Sequence, residues 1–104
     1  MAKYHDSKAT TLAIGVTGIK THGVSPGRTT MLSVVDSVGD AVYDVVGYLM
    51  TAEEDASRNL CVIETGLSGE YIKASVGGFV EVGIQITSAS TGTIRMETLG
   101  CKQS

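Results

Sequence analysis

The chain has 104 residues and a formal net charge of −3, with one Phe, four Tyr and no Trp. That length is most simply one domain, and a fold of this size buries about two thirds of the surface its unfolded chain exposes, so the core is small and built from Val, Ile, Leu, Met and Ala. An acidic chain without clustered Lys and Arg lacks the cations that displace counterions from phosphates, which argues against nucleic acid as a partner, and no apolar run reaches the roughly 20 residues that span a membrane as a helix.

Residues 1–10 hold Lys3, His5, Asp6, Ser7, Lys8 and Thr10, with Tyr4 their one large ring. This composition predicts a flexible, extended N-terminal arm ahead of a single β domain over residues 11–100, with a fraying tail at 101–104. The first eleven residues contain no apolar core of signal-peptide length, so the product is expected to stay soluble. From residue 11 the pattern changes: Leu12, Ile14 and Val16 alternate with small and hydroxylated residues and read as a first strand. A glycine-rich loop over 18–28 follows, with a tight turn at Ser25, Pro26 and Gly27, because Pro26 fixes its own φ and pushes Ser25 into extended geometry.

Residues 29–35 read as a strand with Leu32 and Val34 on one face. The ten apolar-rich residues 41–50 favour one or two strands broken near Asp44 or Gly47 over a buried helix. Thr51 and Glu54 have capping-box spacing, and the short segment behind them reads equally as a helical turn or an acidic loop. Residues 60–65 form a further strand closed by Gly66, and 71–75 another, with Gly77 and Gly78 after it.

The best-specified stretch is 79–98. Val80, Val82, Ile84 and Ile86 recur at every second position, and Ile94 and Met96 repeat that period with Arg95 and Glu97 on the opposite face. The five residues 88–92 between the two runs are small and end in Gly92, which predicts a hairpin whose turn Gly92 closes at positive φ. About six to eight short strands at roughly ten-residue spacing give an all-β class: a compact β-sandwich or small β-barrel with an extended arm and at most one short helix.

Chemistry is sparse. His5 beside Asp6 is half a metal site with His22, yet no third ligand stands at a useful spacing. Ser75, Gly77 and Gly78 resemble a phosphate cradle, but a strand follows where such a cradle needs a helix start. Cys61 and His22 are the one nucleophile-base pair that can be assembled. Glu53, Glu54 and Asp55 form an acidic cluster supported only by Arg58, which reads as a solvated loop tip. Cys61 and Cys101 read as free thiols, with a bridge between them left open. No catalytic centre, cofactor or metal is expected.

The order of elements in the second half carries a resemblance. Val45, Val46, Gly47, Tyr48 and Leu49 end one strand; then come a charged loop, the strand from Leu60 to Gly66, the "apolar, Gly, apolar" strand around Gly83, the Ser88 to Gly92 loop and the strand from Thr93 to Met96. Over about residues 42–98 this resembles the capsid decoration (cement) proteins of tailed bacteriophages. The resemblance implies a non-enzymatic protein, made in the host cytoplasm, that binds the outer surface of a shell of major capsid protein in the virion, as a homo-oligomer with a trimer favoured. It places the capsid-facing residues at Ala2, Lys3, Tyr4, His5, Leu12, Ile14 and Val16. The alternatives are a head-completion or tail-tube virion subunit, and a small ligand- or carbohydrate-binding β-sandwich, the latter weakened by the lack of Trp.

Overall fold

The computed structural model describes residues 4–24, 29–73 and 78–102. Eight strands stand among them: β1 Tyr4–Leu12, β2 Gly18–Gly23, β3 Thr29–Asp36, β4 Val42–Tyr48, β5 Leu60–Leu67, β6 Tyr71–Lys73, β7 Glu81–Ser88 and β8 Ile94–Lys102. They form two four-stranded sheets, β1-β8-β3-β6 (sheet A) and β2-β7-β4-β5 (sheet B), and every pairing is antiparallel. Every connection crosses between the sheets except the one from β4 to β5. Two facing sheets in this order make a jelly-roll sandwich, which settles the open choice between sandwich and barrel. No helix occurs among the described residues.

Alternation builds the core. Leu32 and Val34 of β3 and Ile94 and Met96 of β8 meet Tyr43 and Val45 of β4 and Val82, Ile84 and Ile86 of β7, all essentially excluded from water. Tyr43 buries its ring and donates its hydroxyl to the Gly69 carbonyl at 2.9 Å, so its polar end stays satisfied. Burial first, and then the Asp36 charge, push that phenol up to about 12. Relative to β4, β5 carries one extra residue at each of two register shifts. These bulges let the consecutive residues Ile63 and Glu64 both reach inward, Ile63 onto the core and Glu64 to the Tyr71 hydroxyl at 2.6 Å and Lys73 Nζ at 2.9 Å.

Several expectations are corrected. β7 and β8 are not a hairpin: β7 pairs with β2 and β4, β8 with β1 and β3, and residues 89–93 carry the chain from one sheet to the other. Gly92 is absent from the positive-φ glycines and is needed for space, since a Cβ there would collide with the Ser37 hydroxyl and lie 2.6 Å from Val38 Cγ2. The flexible arm is, from Tyr4 onward, the edge strand β1, paired along its length with β8. Its polar residues suit that place because backbone hydrogen bonds hold an edge strand and one margin faces water. The strand expected over 11–17 is the end of β1 at Leu12 followed by an exposed loop carrying Ile14 and Val16. The tail joins β8 as far as Lys102 instead of fraying from Leu99. Residues 41–50 yield the single strand β4, and the described part of 71–75 yields β6.

Candidate functional site

The loops joining β1 to β2, β3 to β4 and β7 to β8 gather at one end of the sandwich and are bonded to one another. Asp36, buried at the end of β3, accepts from Val38 N at 3.2 Å, Ala41 N at 2.9 Å and Ser90 Oγ at 2.7 Å. Asp40 lies 2.9 Å from Ser90 Oγ and accepts from Thr91 through its amide and its hydroxyl. Ser37 N donates to Thr93 O, Thr93 N donates to Ser37 Oγ, and Gly15 N donates to Ser90 O. Desolvation pulls the Asp36 pKa up, but hydrogen bonds from Ser90 and from the Ala41, Gly39 and Val38 amides outweigh it and bring it down to about 2. Hydrogen bonds from Thr91, then from Ser90, lower that of Asp40 as well. A single Ser90 hydroxyl proton serves two carboxylates, and the result is a rigid polar frame whose outer side chains are apolar: Ile14 is 66% exposed and Val38 58%.

A second feature lies on the outward face of sheet A. Met31 and Leu99 face each other across β3 and β8, Ile72 stands beside Ser33 on β6, and these with Arg95, Glu97 and Lys8 line a shallow groove of about 490 Å3. Ile72 is 67% exposed and Met31 40%, where a solvated sheet face would present polar residues. Arg95 Nε lies 3.3 Å from Glu97 Oε2 and reaches Thr11 Oγ1, so the charges lie flat along the face.

His22 closes the side of the sandwich where the edge strands β1 and β2 meet. Its ring is buried, with Nε2 2.7 Å from Thr10 Oγ1 on β1 and Nδ1 3.0 Å from Thr98 Oγ1 on β8. Beside it Lys8 Nζ donates to the Gly23 carbonyl, again from sheet A to sheet B. Burial, then the charges of Lys20 and Lys8, lower the His22 pKa. The ring is a structural tie, since neither partner is a carboxylate or a thiol. The pairing of Cys61 with His22 fails on topology: β5 and β2 are opposite edges of sheet B with β7 and β4 between them, about 14 Å at ordinary strand spacing. Cys61 is a free, half-buried thiol.

The acidic segment is internally bonded. Thr51 and Glu54 make the reciprocal capping-box bonds, Thr51 N to Glu54 Oε1 at 2.9 Å and Glu54 N to Thr51 Oγ1 at 3.2 Å, around a turn instead of a helix. Asp55 accepts from the amide and hydroxyl of Ser57. Arg58 turns away from the cluster, stacks over the Tyr48 ring at 3.7 Å and meets Glu81 at 2.6 Å, anchoring the loop to sheet B. Among the described residues no group of three or more His, Cys, Asp or Glu stands close enough to hold a metal ion.

Of the residues expected to face a capsid, Ala2 and Lys3 lie outside the described residues. Tyr4 and His5 take their places in β1 opposite Lys102 and Cys101, and Leu12 is half-buried against the core. Ile14 and Val16 stand together on the tip, joined there by Val38, which sequence reasoning left in a link. Ser75 and Gly77, of the phosphate-cradle reading, also lie outside the described residues, and Gly78 is exposed with a φ of 88°.

No family model and no curated protein sequence matches the chain. Among solved structures it is similar to the SPBc2 prophage-derived protein YomS, with 12% identity, a TM-score of 0.49 and coverage of 95% of this chain and 96% of that one. It is also similar to a Bacillus endospore appendage, described as forming a novel family of disulfide-linked pili, with 16% identity, a TM-score of 0.39 and coverage of 97% and 89%. Neither likeness carries weight for function at these scores.

Proposed function

We propose that this protein is a non-enzymatic structural subunit of a phage virion that binds the outer surface of the head shell as a homo-oligomer and stabilises it. The observation that carries this reading is how a fully formed sandwich distributes its exposed apolar side chains. Ile14 and Val38 stand at one end, Leu49 and Met50 on the β4–β5 connection, Met31 and Ile72 on sheet A, and Val62 on sheet B. A ligand-binding module concentrates such surface in one pocket, whereas a subunit with neighbours on several sides needs it spread out. The jelly roll also serves viral shells and lectins alike, and that support is analogy of fold only. The resemblance of residues 42–98 to decoration proteins points the same way. Many modest contacts, repeated over an oligomer that bridges several shell subunits, add up through effective concentration.

The test mixes the purified protein with undecorated phage heads and sediments them. Co-sedimentation at a fixed ratio to the major capsid protein is the expected result. Protein that remains wholly in the supernatant overturns the reading and turns attention to the sheet A groove as a ligand site.

A further inference from the structure

The loop tip and the groove of sheet A are both apolar, yet they are opposite in shape and in charge. The tip protrudes, and Asp40 is the sole charged residue within 13–17, 37–41 and 89–93. The groove is recessed and sets Lys8 and Arg95 against the single carboxylate Glu97. We propose that the tip bearing Ile14, Val16 and Val38 on one copy of the chain docks into the groove over Met31, Ile72 and Leu99 on the next copy, so that subunits join end to side.

The contact is pre-organised. The bonds from Gly15 to Ser90, Ser37 to Thr93 and Asp36 to Ser90 hold the tip before it meets anything, so little loop entropy is lost on docking. The groove has room for several aliphatic side chains. Symmetric alternatives fit less well: tip against tip sets Asp40 opposite Asp40, and groove against groove brings two recessed surfaces together with no side chain to fill them. Because each copy carries both the tip and the groove, the contact is heterologous and propagates into a closed ring or an open filament. This deepens the proposed function and rests on it only in treating the chain as an assembly subunit. Shell binding, read by sedimentation, and self-association, read by mixing variants, fail independently.

The experiment is light scattering on the full chain with a tip variant, Ile14→Asp, and a groove variant, Ile72→Glu. Both positions are well exposed, so the fold is retained, and Val38→Asp and Leu99→Glu serve as second variants on the two surfaces. The wild type is expected to exceed the monomer mass and each variant alone to be monomeric. An equal mixture is expected to double in mass and stop there, because the intact groove of one variant takes the intact tip of the other. A wild type that is monomeric at every concentration, a variant that still assembles alone, or a mixture that stays monomeric overturns the proposal.

Discussion

Ser90 Oγ lies 2.7 Å from Asp36 Oδ1, a bond that ties the end of β3 to the connection between β7 and β8 across 54 residues of sequence. Asp36 is buried, so its charge is tolerable only because donors surround it. Its pKa falls from 3.8 to about 2, and a depressed carboxylate contributes stability that is fully present above its unfolded pKa and lost as pH falls through the folded one. We expect the urea midpoint to drop between pH 4 and pH 2, with a contribution from Asp36 on the order of 1–2 kcal/mol. Asp36→Asn should lower the midpoint at neutral pH and flatten this acid limb. An Asp36→Asn variant with the wild-type acid limb would show that other carboxylates set it.

Gly47 is the position at which sheet B admits Phe79. A Cβ there would stand 2.7 Å from Phe79 Cδ1 and 3.1 Å from the Glu81 carbonyl, so Gly47→Ala forces the ring aside. Overpacking of this kind costs about 1–3 kcal/mol. In a Phe79→Ala background the same substitution meets only the carbonyl and should cost clearly less, which a double-mutant cycle by chemical denaturation measures directly. Equal costs in both backgrounds would place the strain on the backbone contact.

Strands that bury one face were legible, and their partners were not. Ile94 and Met96 alternating with Arg95 and Glu97 mark β8 because one of its faces meets the core and the other meets water. The same period is silent about pairing, so two successive strands joined by a small loop read as a hairpin although 89–93 passes between sheets. β1 escaped notice for the opposite reason: Lys8 and Thr10 take positions from which they reach Gly23 and His22, so no apolar stripe marks the strand. Ile14 and Val16 supplied a false stripe on a loop. In β3, Met31 and Val35 occupied the second face of a strand whose first face is core, and that two-sided apolar pattern was the one available sign of the sheet A groove. The bonds among Asp36, Asp40 and Ser90 join residues about 50 apart, where no spacing rule reaches.

Thr30 offers a test of polar satisfaction in the core. Its side chain is 1% exposed and its hydroxyl has no hydrogen-bond partner among the described residues. A buried hydroxyl left unpaired costs about 1–3 kcal/mol, while valine has nearly the same shape without that cost. Thr30→Val is therefore expected to raise the unfolding free energy by about 1 kcal/mol, read as a higher urea midpoint at unchanged slope. A lower midpoint would mean that the hydroxyl has a partner worth keeping.

His22 makes stability depend on pH in the neutral range. Buried between Thr10 and Thr98, the ring can keep both hydrogen bonds when protonated, because each threonine hydroxyl can accept from a ring N–H. What opposes the proton is burial, and then the charges of Lys20 and Lys8. The folded pKa lies below the model value of 6.5, so the unfolded chain takes up the proton first on acidification. The stability that His22 contributes is thus present above pH 6.5 and declines as pH falls through that value towards the folded pKa. The melting temperature of the wild type should fall between pH 7.5 and pH 5, and that of His22→Gln should change less over the same range. A proton NMR titration checks the cause: the His22 ring signals should titrate below pH 6.5, and a midpoint above it would mean that a carboxylate stabilises the imidazolium in place of the two threonines.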